Sequence, residues 1–297
     1  MNKLAILIPY YKIDFFEEII ASVARQTDKR FTLYIGNDAS TNDPLPIIQK
    51  YFKEENYHYY NYTENLGGQN LALQWERILE KVKEEWFQIL GDDDMISENF
   101  VEEFYRNIEE VEKEKINVIK VSQVWIDENN VRLNNATSLD YIINAKEQFL
   151  IEYKHKFRAS LSEHIFNKKK FDKYGFKKFP LAWHSDNLAV YETSDFNKIY
   201  FFQNSLVMVR MSEVNISNRK DDYEVKFYAS HLYREYLMKE YYTILPHEFV
   251  LEELTKYRDY LWKNNLEAKV PLFIIYLKLG LVRKAFGSLI HRKWKIS

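Results

Sequence analysis

Over the first hundred residues, short runs that are apolar at every position alternate with segments whose apolar positions recur every three or four residues. Leu4-Ala5-Ile6-Leu7-Ile8 is of the first kind, as a strand covered on both faces must be, and Pro9-Tyr10-Tyr11 ends it. A helix is predicted next, because Asp14 and Glu17 stand at capping-box spacing and Phe16, Ile19, Ile20, Val23 and Ala24 fall on one face. Phe31 to Ile35 reads as a second strand running into the polar loop Gly36 to Pro44, and Pro46 to Lys53 as a short helix. His58 to Tyr62 reads as a third strand, and Asn65-Leu66-Gly67-Gly68 as a turn into a helix marked by Leu71, Trp75, Ile78, Leu79 and Val82. Trp86 to Leu90 is the fourth strand. Strand and helix alternating at this spacing predict βαβ units, and hence an α/β fold with a mostly parallel, Rossmann-like sheet flanked by helices. Ligands of such sheets bind beyond the carboxyl ends of the strands, where Pro9 to Tyr11, Asn37 to Asp43 and Asp92 to Asp94 fall.

Farther along, Ser97 to Glu112 reads as a helix and Ile116 to Val121 as a strand, with Val124 to Ile126 and Val131 to Leu133 as a hairpin across Asp127-Glu128-Asn129-Asn130. Ala136 to Phe157 is a mixture of helix and loop. Pro180 to Asp186 gathers Trp183, His184 and Asp186 in one loop or helix start. Past Arg210 the pattern becomes helical: Asp221 to Tyr242, Phe249 to Trp262, and Leu272 to Ile290, whose apolar stripe is weakened by Gly280 and Gly287. Two regions are therefore expected, residues 1–215 carrying the chemistry and 216–297 as a helical extension.

Composition narrows the chemistry. The 297 residues are 46% hydrophobic, enough for a full core, and the 42 basic and 44 acidic residues nearly balance, which argues against a nucleic-acid partner. No cysteine is present, so disulfides and thiolate metal sites are excluded. No apolar stretch reaches the roughly 20 residues that span a bilayer, and Met1 to Ile8 is too short for a signal-peptide core, so a cytoplasmic location is expected. Only 7 glycines are present, and neither a dinucleotide fingerprint nor a Walker A loop occurs. The costly feature is Gly91-Asp92-Asp93-Asp94 at the end of an apolar strand. Adjacent, partly desolvated carboxylates repel one another, and hard oxygen ligands of this kind suit Mg²⁺ or Mn²⁺ completed by the oxygens of a phosphorylated substrate. The competing reading is an acidic turn before a helix capped by Ser97.

Taken in order, Ala5 to Tyr11, Ser22 to Thr27 with Gln26-Thr27, Asn37-Asp38-Ala39-Ser40-Thr41, Asn65-Leu66-Gly67 and Gly91-Asp92-Asp93-Asp94 resemble the successive motifs of family 2 glycosyltransferases of the GT-A fold. The resemblance covers about residues 1–215. It implies a nucleotide-sugar donor, usually a UDP-sugar, a divalent metal, and transfer with inversion. Carried over residue by residue, Pro9 and Tyr11 contact the nucleoside, Asp38 accepts from the uracil N3, Asn65 and Asp92 belong to the donor site, and Asp93 and Asp94 are the expected metal ligands. The family's acidic motif is usually Asp-x-Asp-Asp; here its first position is Gly91. Ser185-Asp186 stands where the family often has Glu-Asp, whose Asp is the base that deprotonates the acceptor. The family's Ala-Arg-Asn is replaced by Gly68-Gln69-Asn70-Leu71. The alternative is a degenerate chain that binds nucleotide-sugar without turning it over. After Glu267 the chain holds seven Lys and Arg and no acid, which predicts peripheral contact with the inner face of a bacterial membrane and a glycan or lipid-linked oligosaccharide as acceptor.

Overall fold

The computed structural model describes residues 2–154, 159–211, 221–264 and 271–290. The chain divides into two compact units, Met1–Tyr223 and Glu224–Ser297. In the first, the strands are β1 (Leu4–Tyr10), β2 (Phe31–Asp38), β3 (Tyr57–Tyr62), β4 (Trp86–Ile89), β5 (Met95–Ile96), β6 (Val118–Ile126), β7 (Ile142–Asn144), β8 (His164–Asn167) and β9 (Lys198–Arg210). Its helices are α1 (Phe16–Ala24), α2 (Leu45–Tyr51), α3 (Leu71–Leu79), α4 (Phe100–Lys113), α5 (Ala145–Tyr153), α6 (Lys168–Phe171) and α7 (Ser185–Thr193). The strands form one sheet in the order β3-β2-β1-β4-β8-β6-β9-β5, with β7 on β9.

The parallel half, β3-β2-β1-β4, is the part with continuous apolar runs. Leu4 pairs with both Phe31 and Trp86, and the register carries through to Tyr10 opposite Asn37. Leu4 to Ile8 are fully buried; Leu4, Ile6 and Ile8, each contributing roughly 1.5–3 kcal/mol of burial, share a core with Phe16, Ile19 and Val23 of α1 and Phe100 and Phe104 of α4. Because the register is shared, the carboxyl ends of β1, β2 and β4 finish side by side. Antiparallel pairs extend the sheet through β8, which lies between β4 and β6.

One expectation is met in reduced form and one needs correction. Val131 to Leu133 folds back on β6 through a single antiparallel bridge, Ile126 with Arg132, the Asp127 amide donating to the Val131 carbonyl at 3.0 Å and the Leu133 amide to the Trp125 carbonyl at 2.8 Å. The Asp127 carboxylate accepts from the Asn129 and Val131 amides at 2.8 Å each and closes the turn between the two arms. Val131 and Leu133 stay more than half exposed, so no burial extends the pairing. In the second unit, α8 (Tyr223–Glu240) and α9 (His247–Lys263) follow the expected pattern, but Leu272 to Ile290 is two helices, α10 (Leu272–Lys278) and α11 (Val282–Ile290). Gly280 has φ +73°, a left-handed conformation that ends a helix and that glycine adopts at little cost. No helix among the described residues is long and apolar enough to cross a membrane.

Candidate active site

The turns at the carboxyl ends of β1 to β4 are joined in two pairs, β1 with β4 and β2 with β3, by carboxylates that accept from backbone amides. Asp92 Oδ2 accepts from the amides of Tyr11 and Lys12, both at 2.9 Å, so the acidic turn after β4 holds the segment after β1. Within that segment Pro9 is partly exposed and Tyr11 is 46% exposed, leaving its ring accessible beside the turn. Asp38, at the end of β2, is buried; Oδ1 accepts from the Leu66 amide at 2.9 Å and Oδ2 from the Gly67 amide at 2.8 Å. A Cβ on Gly67 would lie 2.5 Å from that Oδ2, so the turn closes this tightly only around glycine. Asn65 folds the same turn by accepting from the Gly68 amide.

Arg77, which the sequence reading did not single out, pairs with Asp38 from the second turn of α3 and lies 3.6 Å over the Tyr62 ring. Burial raises the Asp38 pKa, and the two amides and Arg77 pull against that rise. Asp38 is thus engaged on both oxygens in shaping the Leu66-Gly67 turn.

The three acidic residues after β4 have different surroundings. Asp94 is 6% exposed; its Oδ1 accepts from the Arg210 amide at 2.9 Å and its Oδ2 from the Ser162 hydroxyl, whose oxygen in turn accepts from the Gly91 amide at 3.0 Å. Arg210, 1% exposed, also bonds the Asp93 carbonyl from Nε at 3.1 Å, the Asp127 carbonyl from Nη1 at 2.9 Å, and Glu18 and Asn130 from Nη2 at 2.8 Å each. It clamps the turn from beneath. Asp93 is left as the open carboxylate: it is partly exposed, and no hydrogen bond reaches its side chain among the described residues. Burial, then Asp94 and Asp92, push its pKa well above the carboxylate range; burial pushes Asp94 to about 6 and also raises Asp92.

Among the described residues no group of three or more His, Asp or Glu side chains is arranged to hold a metal alone. Asp94, expected beside Asp93 as a ligand, is committed to Ser162 and Arg210. What does suit Mg²⁺ or Mn²⁺ is one open carboxylate in a locally over-negative turn, since these ions are commonly held by one or two carboxylates plus substrate phosphate. Gly91 adds room, because a Cβ there would sit 3.2 Å from Asp93 Oδ1 and 3.1 Å from Asp94 Oδ2.

Asp186 lies in the first turn of α7, partly exposed, and no side chain bonds to it among the described residues. Burial raises its pKa to about 6, with the Glu152 charge adding to the effect. The residue capping α7 is His184, without a side-chain cap bond, so Asp186 is not the N-cap. The entry to the helix is strained: Leu181, Ala182 and His184 all have φ between 54° and 67°, a conformation that side chains other than glycine rarely adopt. Asn70 secures this loop. Its carbonyl oxygen caps α3 by accepting from the Ala72 amide at 3.0 Å, and its Nδ2 donates 2.8 Å to the Phe179 carbonyl, joining the Asn65 turn to the segment that leads into Asp186.

The fold has solved counterparts. S. aureus TarS 1–349 in complex with UDP-GlcNAc matches with a TM-score of 0.60 at 15% identity, covering 98% of this chain and 92% of that one. The same protein in complex with UDP gives 0.56 at 15% identity, covering 96% and 88%. Against the longer TarS structure the TM-score is 0.56 at 16% identity, with 80% of this chain covered but only 43% of that one, so this chain spans less than half of that protein. At such identities the likeness shows a shared GT-A fold. None of the curated proteins matches the chain in sequence. The family model for glycosyl transferase family 2, however, matches residues 5–175, more than half of the chain and all four turns of the site, and the chain belongs to that family.

Proposed function

We propose that the chain moves a hexosyl or N-acetylhexosaminyl group from a UDP-sugar to an acceptor hydroxyl with inversion at the anomeric carbon. The observation that supports this reading is a pair of partly exposed carboxylates with no side-chain hydrogen bond among the described residues, Asp93 in the turn after β4 and Asp186 in the first turn of α7. The first, in this reading, stands among turns that take a nucleotide diphosphate and the second outside them. In this reading the nucleoside lies against Pro9 and Tyr11, with Asn65 and the Asp38-braced turn forming the wall behind it. Asp93 would hold a divalent ion shared with the diphosphate, supplying Lewis-acid stabilisation of the leaving group. Asp186 takes the acceptor proton from the opposite side, and a single base placed there leads to inversion. TarS, a structural neighbour, has been solved with UDP-GlcNAc and with UDP, which supports a UDP-sugar as donor.

Thermal shift with UDP-, GDP- and dTDP-sugars, each with and without Mn²⁺, tests the reading. A UDP-sugar with Mn²⁺ is expected to stabilise the protein by about 3 kcal/mol at a hundred times its dissociation constant, and the others by less. No stabilisation by any nucleotide-sugar would refute it.

The proposed setting is bacterial surface polysaccharide synthesis at the inner face of the membrane. Support comes from the second unit, where Ile274, Leu277, Val282 and Phe286 are exposed on α10 and α11 in company with Lys278, Arg283 and Lys284. Residues 271–290 contain no acid. Each cation near an anionic leaflet contributes about 1 kcal/mol, so three give reversible association. The full chain is expected to co-sediment with vesicles containing anionic lipid at low salt and to be released at high salt, whereas a chain ending at Lys269 stays in solution. Equal sedimentation of both would remove this segment from the membrane argument.

A further inference from the structure

A buried ionic cluster lies behind the site and takes no part in the chemistry described above. Lys120, in the middle of β6, is 2% exposed. Its Nζ is 3.1 Å from Glu152 Oε1 on α5 and in direct contact with Glu163 Oε1, and Glu163 is fully buried. Gln148 Nε2 donates to Glu152 Oε1 at 2.8 Å, and the Tyr191 hydroxyl donates to Glu152 Oε2. His164 closes the cluster with Nε2 3.5 Å from Lys120 Nζ and Nδ1 2.8 Å from the Ser160 carbonyl, and burial together with Lys120 keeps its imidazole neutral.

A core does not require such a cluster. Buried ion pairs are expensive to desolvate, and apolar side chains of similar volume often serve stability as well or better. What distinguishes this one is where its two arms end. Glu163 directly follows Ser162, the residue that holds Asp94 and the Gly91 amide, while Gln88 Nε2 fixes the Ser162 carbonyl at 2.6 Å. Glu152 ends on Tyr191, which belongs to α7, five residues after Asp186. One lysine therefore sits between the turn before β8 that braces the acidic turn and the helix that carries the second carboxylate.

We propose that Lys120 is a positioning residue: through Glu163 and Glu152 it holds α7, and with it Asp186, at a fixed offset from the Asp93 turn. The inference rests on the roles proposed for those two carboxylates. A displacement of about 1 Å between reacting groups costs about a hundredfold in rate, so a rigid link between the donor and acceptor walls has a function that packing alone does not supply.

The test compares three proteins by UDP release from UDP-GlcNAc with Mn²⁺ and water as acceptor, alongside calorimetry of UDP and thermal unfolding. Lys120→Met alone would strand two buried glutamates, so the main variant is Lys120→Met/Glu152→Gln/Glu163→Gln, in which the amides keep acceptors for Tyr191 and Ser160. Tyr191→Phe cuts only the arm to α7, and Asp186→Asn reports on the base itself. The triple variant is expected to unfold at or above the native temperature and to bind UDP within twofold of the native chain while losing at least tenfold in kcat; Tyr191→Phe should lose several-fold in kcat with UDP affinity unchanged and a lower melting temperature, because Glu152 Oε2 loses its donor. A kcat within twofold of native in both, while Asp186→Asn is inactive, overturns the positioning role and leaves the base assignment standing. Native turnover by Asp186→Asn overturns both. If the triple variant fails to fold, Tyr191→Phe decides alone.

Discussion

Replacing Asp186 by asparagine is expected to lower turnover about a hundredfold or more, leave UDP affinity within about twofold, and make the protein more stable. The loss of rate follows from the proposed role of Asp186 as the base, while the turns around Asp38 and Asp92, where the donor is proposed to bind, stay untouched. The gain in stability follows from its pKa. Burial raises it to about 6 from an ordinary value near 3.8, so the folded chain binds the proton more tightly than the unfolded chain. Stability therefore falls as pH rises from about 4 to about 6, and above 6 the full penalty of the partly desolvated carboxylate is present, at most on the order of 3 kcal/mol for a shift of this size. Asparagine carries no charge and escapes it. In the native protein kcat/KM should fall as pH drops through about 6, where Asp186 becomes protonated; the asparagine variant should lack that limb. A structural residue would behave oppositely, losing stability without a selective loss of rate.

The second large effect is expected at Asp93. Asp93→Asn should reduce UDP affinity in Mn²⁺ at least tenfold, to the level the native chain shows in EDTA, and lower turnover by about a hundredfold or more. It should also fold at least as well as the native chain when no metal is added, because burial and the charges of Asp94 and Asp92 disfavour its carboxylate. The contrast with Asp94→Asn is informative: that side chain accepts from Ser162 and the Arg210 amide, so its amide substitute puts a donor where an acceptor is needed and should lower the melting temperature. Calorimetry of UDP with and without Mn²⁺ separates the two. Undiminished Mn²⁺-dependent affinity in Asp93→Asn would remove Asp93 as the metal carboxylate.

These expectations rest on features of unequal visibility in the chain. The parallel half of the sheet was legible because strands buried on both faces are written as unbroken apolar runs, and the acidic turn because three adjacent carboxylates have few structural uses. Asp186 is singled out only by the family resemblance, since no local pattern distinguishes it from a capping residue. By contrast, Ser162, Arg77 and Arg210 act at long separation. Arg210 meets Asp94 across 116 residues, and a lone arginine at the end of an apolar stretch carries no signal of that pairing. Lys120 was hidden for a similar reason: it stands inside a run read simply as a strand, and its glutamate partners come from α5 and the turn before β8. The hairpin at Val131 is shorter than the apolar positions suggest, a single antiparallel bridge closed by the Asp127 turn, because Val131 and Leu133 find nothing to bury against. At Leu272 to Ile290 the apolar stripe was real, but Gly280 in a left-handed conformation divides it.

The most direct measurement is a crystal structure of the chain with UDP and Mn²⁺. The account predicts the uridine against Pro9 and Tyr11, the diphosphate and the ion at the Asp93 carboxylate, and Asp186 open toward the far side of the site. Nucleotide bound elsewhere, or bound here with Asp93 turned away from both the ion and the diphosphate, would contradict it.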